Sequence, residues 1–272
     1  MRLNALLAYL FFSKRVDAVG TEYVPRDKPV IFASTHSNSL IDAIIIYLLF
    51  IKNVYSLARG DAFNNPIVAI ILKTIHMLPV WRMSEGRKNM AKNGKTFDEC
   101  NEIFKRNKNV LIFPEGLCTN QTTLLPLKKR GTAAMAYKAW NDGIDLQIVP
   151  VVITYDSFKR FGKRANVQFD SPITKEGYDL KNEVTFSKKF TDDLTDKMEP
   201  LFNYEFKPVG FLRNAMFLFG WLINWPLYLL IDFIVKKKFA NTIFFDSIWY
   251  GLLFVTIFPY LLLVFFAVKH FL

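Results

Sequence analysis

His36 and Asp42 lie in the stretch FASTHSNSLIDAIII with five residues, Ser37 through Ile41, between them. A carboxylate that holds one ring nitrogen of a histidine fixes its tautomer and leaves the other nitrogen to take a proton, the equipment for activating a hydroxyl. A free imidazole titrates near pH ~6.5, within reach of general-base work near neutrality. The same pair has a plainer reading, a helix-capping aspartate beside an incidental histidine. A second carboxylate, Glu115, follows the apolar run NVLIFP, and Arg82 ends the run MLPVWR. Lys128, Lys129 and Arg130 come directly before a helix-like stretch whose first amides would add to an anion site. Each of these charges alone is ordinary surface. Together, at three strand ends and one helix start, they present a base, a carboxylate and several cations. Metal-dependent phosphoester hydrolysis would need further ligands, and the remaining histidines, His76 and His270, are poorly placed to provide them. No metal is expected.

Positioning these residues requires a sheet. Short runs rich in β-branched and aromatic residues, KPVIFAS, VYSLA, MLPVW, NVLIFP and LQIVPVVITY, read as strands separated by helix-length stretches. Helices are expected over Leu40 to Phe50, Pro66 to Thr74, Arg87 to Lys105 and Thr132 to Trp140. Pro66 suits a first helical turn, and Gly131 a loop before the last helix. Residues 16–204 then form one α/β catalytic domain, a mixed sheet with flanking helices. His36 would emerge past the C-terminal end of its strand, where open α/β sheets place ligands.

The chain ends differ from this middle. The 272 residues are 51% hydrophobic, with 27 Phe and a net charge of +11, which suits anionic lipid, nucleic acid or phosphorylated substrates equally. Residues 214–231 and 247–268 are two apolar runs of roughly 20 residues, enough to cross a bilayer core. We expect transmembrane or re-entrant helices over 205–272, buried core helices being the alternative. A simple hairpin would put Lys236, Lys237 and Lys238 on the far side from a cytoplasmic domain, against the positive-inside tendency, and a shallow or re-entrant arrangement would not. The first 15 residues, MRLNALLAYLFFSKR, are too short an apolar run to span and carry no cleavage site. With Arg2, Lys14 and Arg15 flanking it, this stretch reads as an interfacial helix on an anionic surface, or as an ordinary helix packed on the domain. Cys100 and Cys118 fit neither a disulfide framework nor a metal spacing, so a reducing, cytoplasm-facing domain is the default.

Over most of residues 17 to 155 the chain resembles the glycerolipid acyltransferases of the lysophosphatidic acid and glycerol-3-phosphate type. STHSNSLID resembles the first block of that family, RGDAFNNP through MLPVWR the second, FPEG the third and IVPVVITY the fourth. The resemblance implies transfer of a fatty acyl group from acyl-CoA or acyl-carrier protein to a phosphoglycerol hydroxyl. His36 would be the general base, Asp42 its orienting partner, and Arg82, Glu115 and Gly116 part of the acceptor-phosphate region. The acceptor expected is 1-acylglycerol-3-phosphate, with glycerol-3-phosphate or another lysolipid as alternatives. No cofactor beyond the acyl donor and no nucleic-acid partner is expected; membrane lipid is. Two departures stand out. Five residues separate His36 from Asp42 where the commonest members have four. Leu117, Cys118 and Thr119 replace a frequent Thr-Arg-Ser, so phosphate binding would lean on Arg82 with Lys128, Lys129 or Arg130. A reading of a different class is a membrane-anchored lipid-binding protein with a decayed site.

Overall fold

The computed structural model describes residues 2–50, 54–82, 86–127, 130–158 and 162–271. Along the chain run α1 (Arg2–Phe12), β1 (Ser13–Val19), β2 (Val30–Ser34), α2 (Leu40–Leu49), β3 (Val54–Arg59), α3 (Pro66–Thr74), β4 (Met77–Val80), α4 (Arg87–Met90), α5 (Asn93–Lys105), β5 (Asn109–Ile112), α6 (Gly131–Asn141), β6 (Gln147–Tyr155), β7 (Lys163–Phe169), α7 (Glu183–Met198), α8 (Phe211–Phe239) and α9 (Phe245–Phe271).

Among the described residues the strands form one seven-stranded sheet in the order β1-β7-β6-β2-β5-β3-β4. From β6 to β4 every neighbouring pair is parallel, β7 runs antiparallel to β6, and β1 is parallel to β7. The mixed sheet expected from the sequence is therefore present. Its central strands are buried on both faces, which is why VIFAS and QIVPVVITY read as unbroken apolar runs. Alternation along β2 divides the interior in two. Phe32 packs with α1, α2, α8 and α9 on one face, while Ile31 and Ala33 pack with Phe104 of α5, Trp140 of α6 and Phe190 of α7 on the other.

Several elements differ from expectation. The N-terminal helix stops at Phe12, and Ser13 opens an edge strand in the stretch assigned to that helix. One face of α1 is packing surface, with Ala8, Tyr9 and Phe12 buried, Tyr9 and Phe12 meeting Trp249 and Tyr250 of α9, and Leu6 and Leu10 exposed opposite. The helix expected over Arg87 to Lys105 divides into α4 and α5. The division falls at Asn93, whose side-chain amide is taken up by the main chain of Trp81, accepting from its N at 2.8 Å and donating to its O at 2.9 Å.

The two C-terminal apolar runs are helices of 29 and 27 residues, long and apolar enough by length and composition to cross a membrane. They pack antiparallel, with Tyr228 against Trp249 at 5.3 Å and the Tyr260 hydroxyl donating to Ile223 O at 2.6 Å. The domain holds α8 along its length. Arg213 donates to Lys14 O, Gly220 lies so close to the Phe11 ring that a Cβ would sit 2.9 Å away, and the Tyr228 hydroxyl donates to Phe11 O at 3.1 Å.

Candidate active site

The C-terminal ends of β2, β5, β3 and β4 lie along one edge of the sheet because these strands are mutually parallel. His36 follows β2, Glu115 follows β5, and Arg82 follows β4. Beyond Ser34 the chain stays stitched to β6, since Thr35 N donates to Val151 O at 3.1 Å and Thr35 Oγ1 accepts from Ile153 N at 2.9 Å. This fixes where the turn begins. The helix α2 then brings Asp42 back under the imidazole from its first turn.

His36 Nδ1 is 3.0 Å from Asp42 Oδ2, which also accepts from Asn38 N at 2.8 Å. The other carboxylate oxygen accepts from the Tyr155 hydroxyl at 2.6 Å. Asp42 is wholly buried, so these three donors replace the water it has lost. Burial, followed by the neighbouring Asp42 charge, holds the Tyr155 phenol well above its usual range, and it remains a donor. The imidazole stacks on the Phe113 ring, centroids 3.7 Å apart and planes 12° from parallel. Burial works against the imidazolium, but hydrogen bonds from the ring to Asp42 and Cys118 outweigh it and raise the His36 pKa to about 9.

Glu115 braces this turn from behind. Its Oε2 accepts from His36 N at 3.1 Å, while Oε1 accepts from Leu125 N at 3.3 Å and from the Gln121 amide. The residue is buried; burial raises its pKa, and the bonds from Gln121, His36 and Leu125 pull the other way. Gly116 takes φ 66 in the turn after β5, its N–H donating to Phe113 O at 3.0 Å, a left-handed position suited to glycine. The following segment closes on the histidine, with Thr119 N donating to His36 O at 3.2 Å.

The structure thus joins His36, Asp42 and Glu115 directly. Arg82 is half-buried and lies farther along the same edge, at the end of the outermost strand. Its approach is set by Asn93 on Trp81 and by Gly60 at the end of β3, where a Cβ would come within 2.3 Å of the Trp81 indole. Arg130 is exposed at the start of α6. Lys128 and Lys129 lie outside the described residues. Among the described residues no group of three His, Cys, Asp or Glu is placed to hold a metal ion. Tyr155, Phe113, Gln121 and Cys118 are site residues that sequence reasoning did not single out. Tyr155 and Phe113 stand at the ends of the two strands flanking β2, which is the one signal that could have found them.

The acyltransferase family model matches residues 15–154. The 1-acyl-sn-glycerol-3-phosphate acyltransferase of Bacillus subtilis (strain 168) is 29% identical over 134 residues, 49% of this chain and 62% of that protein. Lysophosphatidylcholine acyltransferase 2 of Rattus norvegicus is 29% identical over 128 residues, 44% of this chain and 21% of that protein. The chain therefore spans less than two thirds of either relative. Among solved structures, the 1-acyl-sn-glycerophosphate (LPA) acyltransferase PlsC from Thermotoga maritima shares the fold, with a TM-score of 0.53 and 20% identity over 76% of this chain and 80% of that one. With the family model matching more than half of its residues, the chain belongs to the acyltransferase family.

Proposed function

We propose that the protein is a membrane-associated O-acyltransferase that moves a fatty acyl group from acyl-CoA or acyl-carrier protein to the hydroxyl of 1-acylglycerol-3-phosphate. The observation that carries this reading is the His36 imidazole held through Nδ1 by Asp42 at the ligand-binding edge of the sheet. The other ring nitrogen, which pairs with Cys118 until the acceptor hydroxyl takes that place, accepts the hydroxyl's proton as its oxygen attacks the thioester carbonyl. The tetrahedral intermediate then expels the thiolate, and the C–S bond breaks. The proton on His36 passes to the leaving sulfur, so the base is restored without an acyl-enzyme. Glu115 acts by fixing the His36 backbone and the segment leading to α6. Arg82, Arg130, Lys128 and Lys129 supply positive charge for the acceptor phosphate. The acceptor is chosen because two of the similar proteins are named for it.

Membrane association rests on α8 and α9, whose outward faces expose Phe219, Leu222, Phe233, Phe258, Leu263 and Phe266. Asp246, at the start of α9, is buried against the catalytic domain, and Arg213, at the start of α8, bonds to Lys14. Both ends of α8 thus lie against the same domain. That favours a hairpin seated in one leaflet, with Lys236, Lys237 and Lys238 on the domain's side, over one that crosses the bilayer.

The deciding experiment is an acyl-transfer assay on the full-length protein in vesicles. It pairs each donor with 1-acylglycerol-3-phosphate, glycerol-3-phosphate and a lysolipid lacking the phosphomonoester. Turnover is expected with the first acceptor, and His36→Ala should lower it by at least ~10²-fold while the fold persists. A folded His36→Ala protein with near-normal turnover would overturn the base assignment, and absence of transfer to every acceptor would overturn the reading itself.

A further inference from the structure

The start of α9 is bound to the catalytic turn. Asp246 Oδ2 accepts from Asn38 Nδ2 at 2.8 Å, and Ser247 Oγ accepts from Leu40 N at 3.0 Å. These partners bracket Ser39, which sits at φ 49, ψ −126, a backbone state that L side chains disfavour. Such a state persists only where its surroundings over-determine it. Here the constraint comes from outside the turn. Asp246 also pairs with Lys163 at the start of β7, and all three charged or polar side chains, Asn38, Asp246 and Lys163, are buried. Lys163 Nζ lies 5.4 Å from the Phe12 ring centroid and 6.0 Å from that of Tyr155, the residue that donates to Asp42. One buried cluster therefore touches the middle of the His36–Asp42 turn and stands beside the support of Asp42.

Anchoring a helix does not require such a cluster. Well-packed apolar residues commonly replace a buried ion pair at no cost in stability. What an apolar replacement cannot do is accept hydrogen bonds from Asn38 and from the Leu40 amide, and so hold the backbone on either side of Ser39.

Resting on the acyltransferase reading, we propose that Asp246 and Ser247, with Lys163 behind them, are positioning residues of the catalytic turn, so that the C-terminal hairpin is a working part of the active site as well as its anchor. None of the three touches the reacting atoms; they set the geometry in which His36 meets Asp42.

Two sets of full-length variants test this in vesicles. Asp246→Leu combined with Lys163→Met removes the acceptor for Asn38 without stranding a buried charge. Ser247→Ala removes only the acceptor for Leu40 N, and Ser247→Thr restores a hydroxyl. The double variant is expected to lose about 10- to 100-fold in kcat, the scale of an ångström-sized misplacement, with KM for both substrates little changed. Its His36 imidazole, followed by histidine NMR, should titrate below the pKa of about 9 in the parent protein as the contact with Asp42 loosens. Ser247→Ala should fall in the same direction and Ser247→Thr recover. A folded double variant with parental kcat and parental His36 titration overturns the proposal. Should the double variant not fold, equal kcat in Ser247→Ala and Ser247→Thr overturns it instead. The NMR reading needs no substrate: in a protein without transferase activity, an unmoved His36 titration would overturn the positioning role and a moved one would support it.

Discussion

A histidine can serve as a base only in its neutral form, and His36 is held in the other form by its surroundings. With its pKa raised to about 9, most of the imidazole is protonated at neutral pH. Transfer at subsaturating substrate should therefore rise with pH through neutrality, reach half its plateau near pH 9 and level off above it. Asp42→Asn removes the carboxylate that favours the imidazolium and leaves burial, which disfavours it. The ascending limb should move to lower pH while the plateau falls, because the ring is both less basic and less firmly held. A pH–rate profile of the two proteins checks this; an unmoved limb would disconnect Asp42 from the titration. The cysteines separate on the same grounds. Burial pushes the Cys100 thiol up to about 12, whereas Cys118 is half-buried and hydrogen-bonds the His36 ring. A maleimide should modify Cys118 first and stop transfer by filling the space beside the base. Cys118→Ser should keep activity of the same order and resist the reagent, and inactivation of that variant at the parental rate would exclude Cys118 as the target. Cys118 occupies the position where related sequences often have arginine, so the residue type suggested a missing phosphate ligand rather than a neighbour of His36.

Among the elements, the five strands from β2 to β6 were legible: burial on both faces writes β2, β5 and β6 as apolar runs, and β3 and β4, partly exposed toward the sheet edge, are still short runs rich in β-branched, aromatic and other apolar residues. Three elements were not. β7 carries a period-two pattern in Ala165, Val167 and Phe169, all facing one core, but Lys163 and Arg164 open it and polar residues fill the alternate sites. β1 is an edge strand whose Lys14 and Arg15 read as the polar flank of the preceding helix. α7 buries one apolar residue per turn, Phe186, Phe190, Leu194 and Met198, a stripe too thin to stand out among its charges although Asn182 caps it properly. The His36–Asp42 pairing was readable because both members lie within one turn of chain. The clamps Asp246 and Tyr155 were not, because they reach the site from other elements; Glu115 was readable as a site residue but not as the brace of the His36 backbone. Gly60 is such a clamp in reverse, a place where nothing may protrude. In Gly60→Ala the new methyl would meet the Trp81 indole, an overpacking worth about 1–3 kcal/mol. The variant should melt lower and, by displacing Trp81 and the adjoining Arg82, show a raised KM for the phosphate-bearing acceptor. An unchanged Tm and KM would mean that Trp81 yields freely.

For the whole molecule, the hairpin makes two demands on the membrane. Salt screens surface charge but does not weaken apolar burial, so the protein should stay in the membrane fraction through high-salt and carbonate washes and require detergent for release. Release by carbonate would return α8 and α9 to the status of core helices. If the hairpin sits in one leaflet, cysteines introduced as Lys237→Cys at the hairpin turn and Lys181→Cys on the catalytic domain should react with an impermeant reagent from the same side of sealed vesicles. Labelling from opposite sides would show a crossing. The bond from Asn38 to Asp246 joins positions 208 residues apart, and this has a consequence in time. On the ribosome the sheet can assemble once β7 has emerged, but the clamp on the catalytic turn arrives only with α9. At synthesis rates of about 5–20 residues per second, that leaves an interval of roughly 4–15 s in which the growing chain holds its base and carboxylate without the clamp. Acyl transfer should therefore begin only once α9 has been made and has closed the turn.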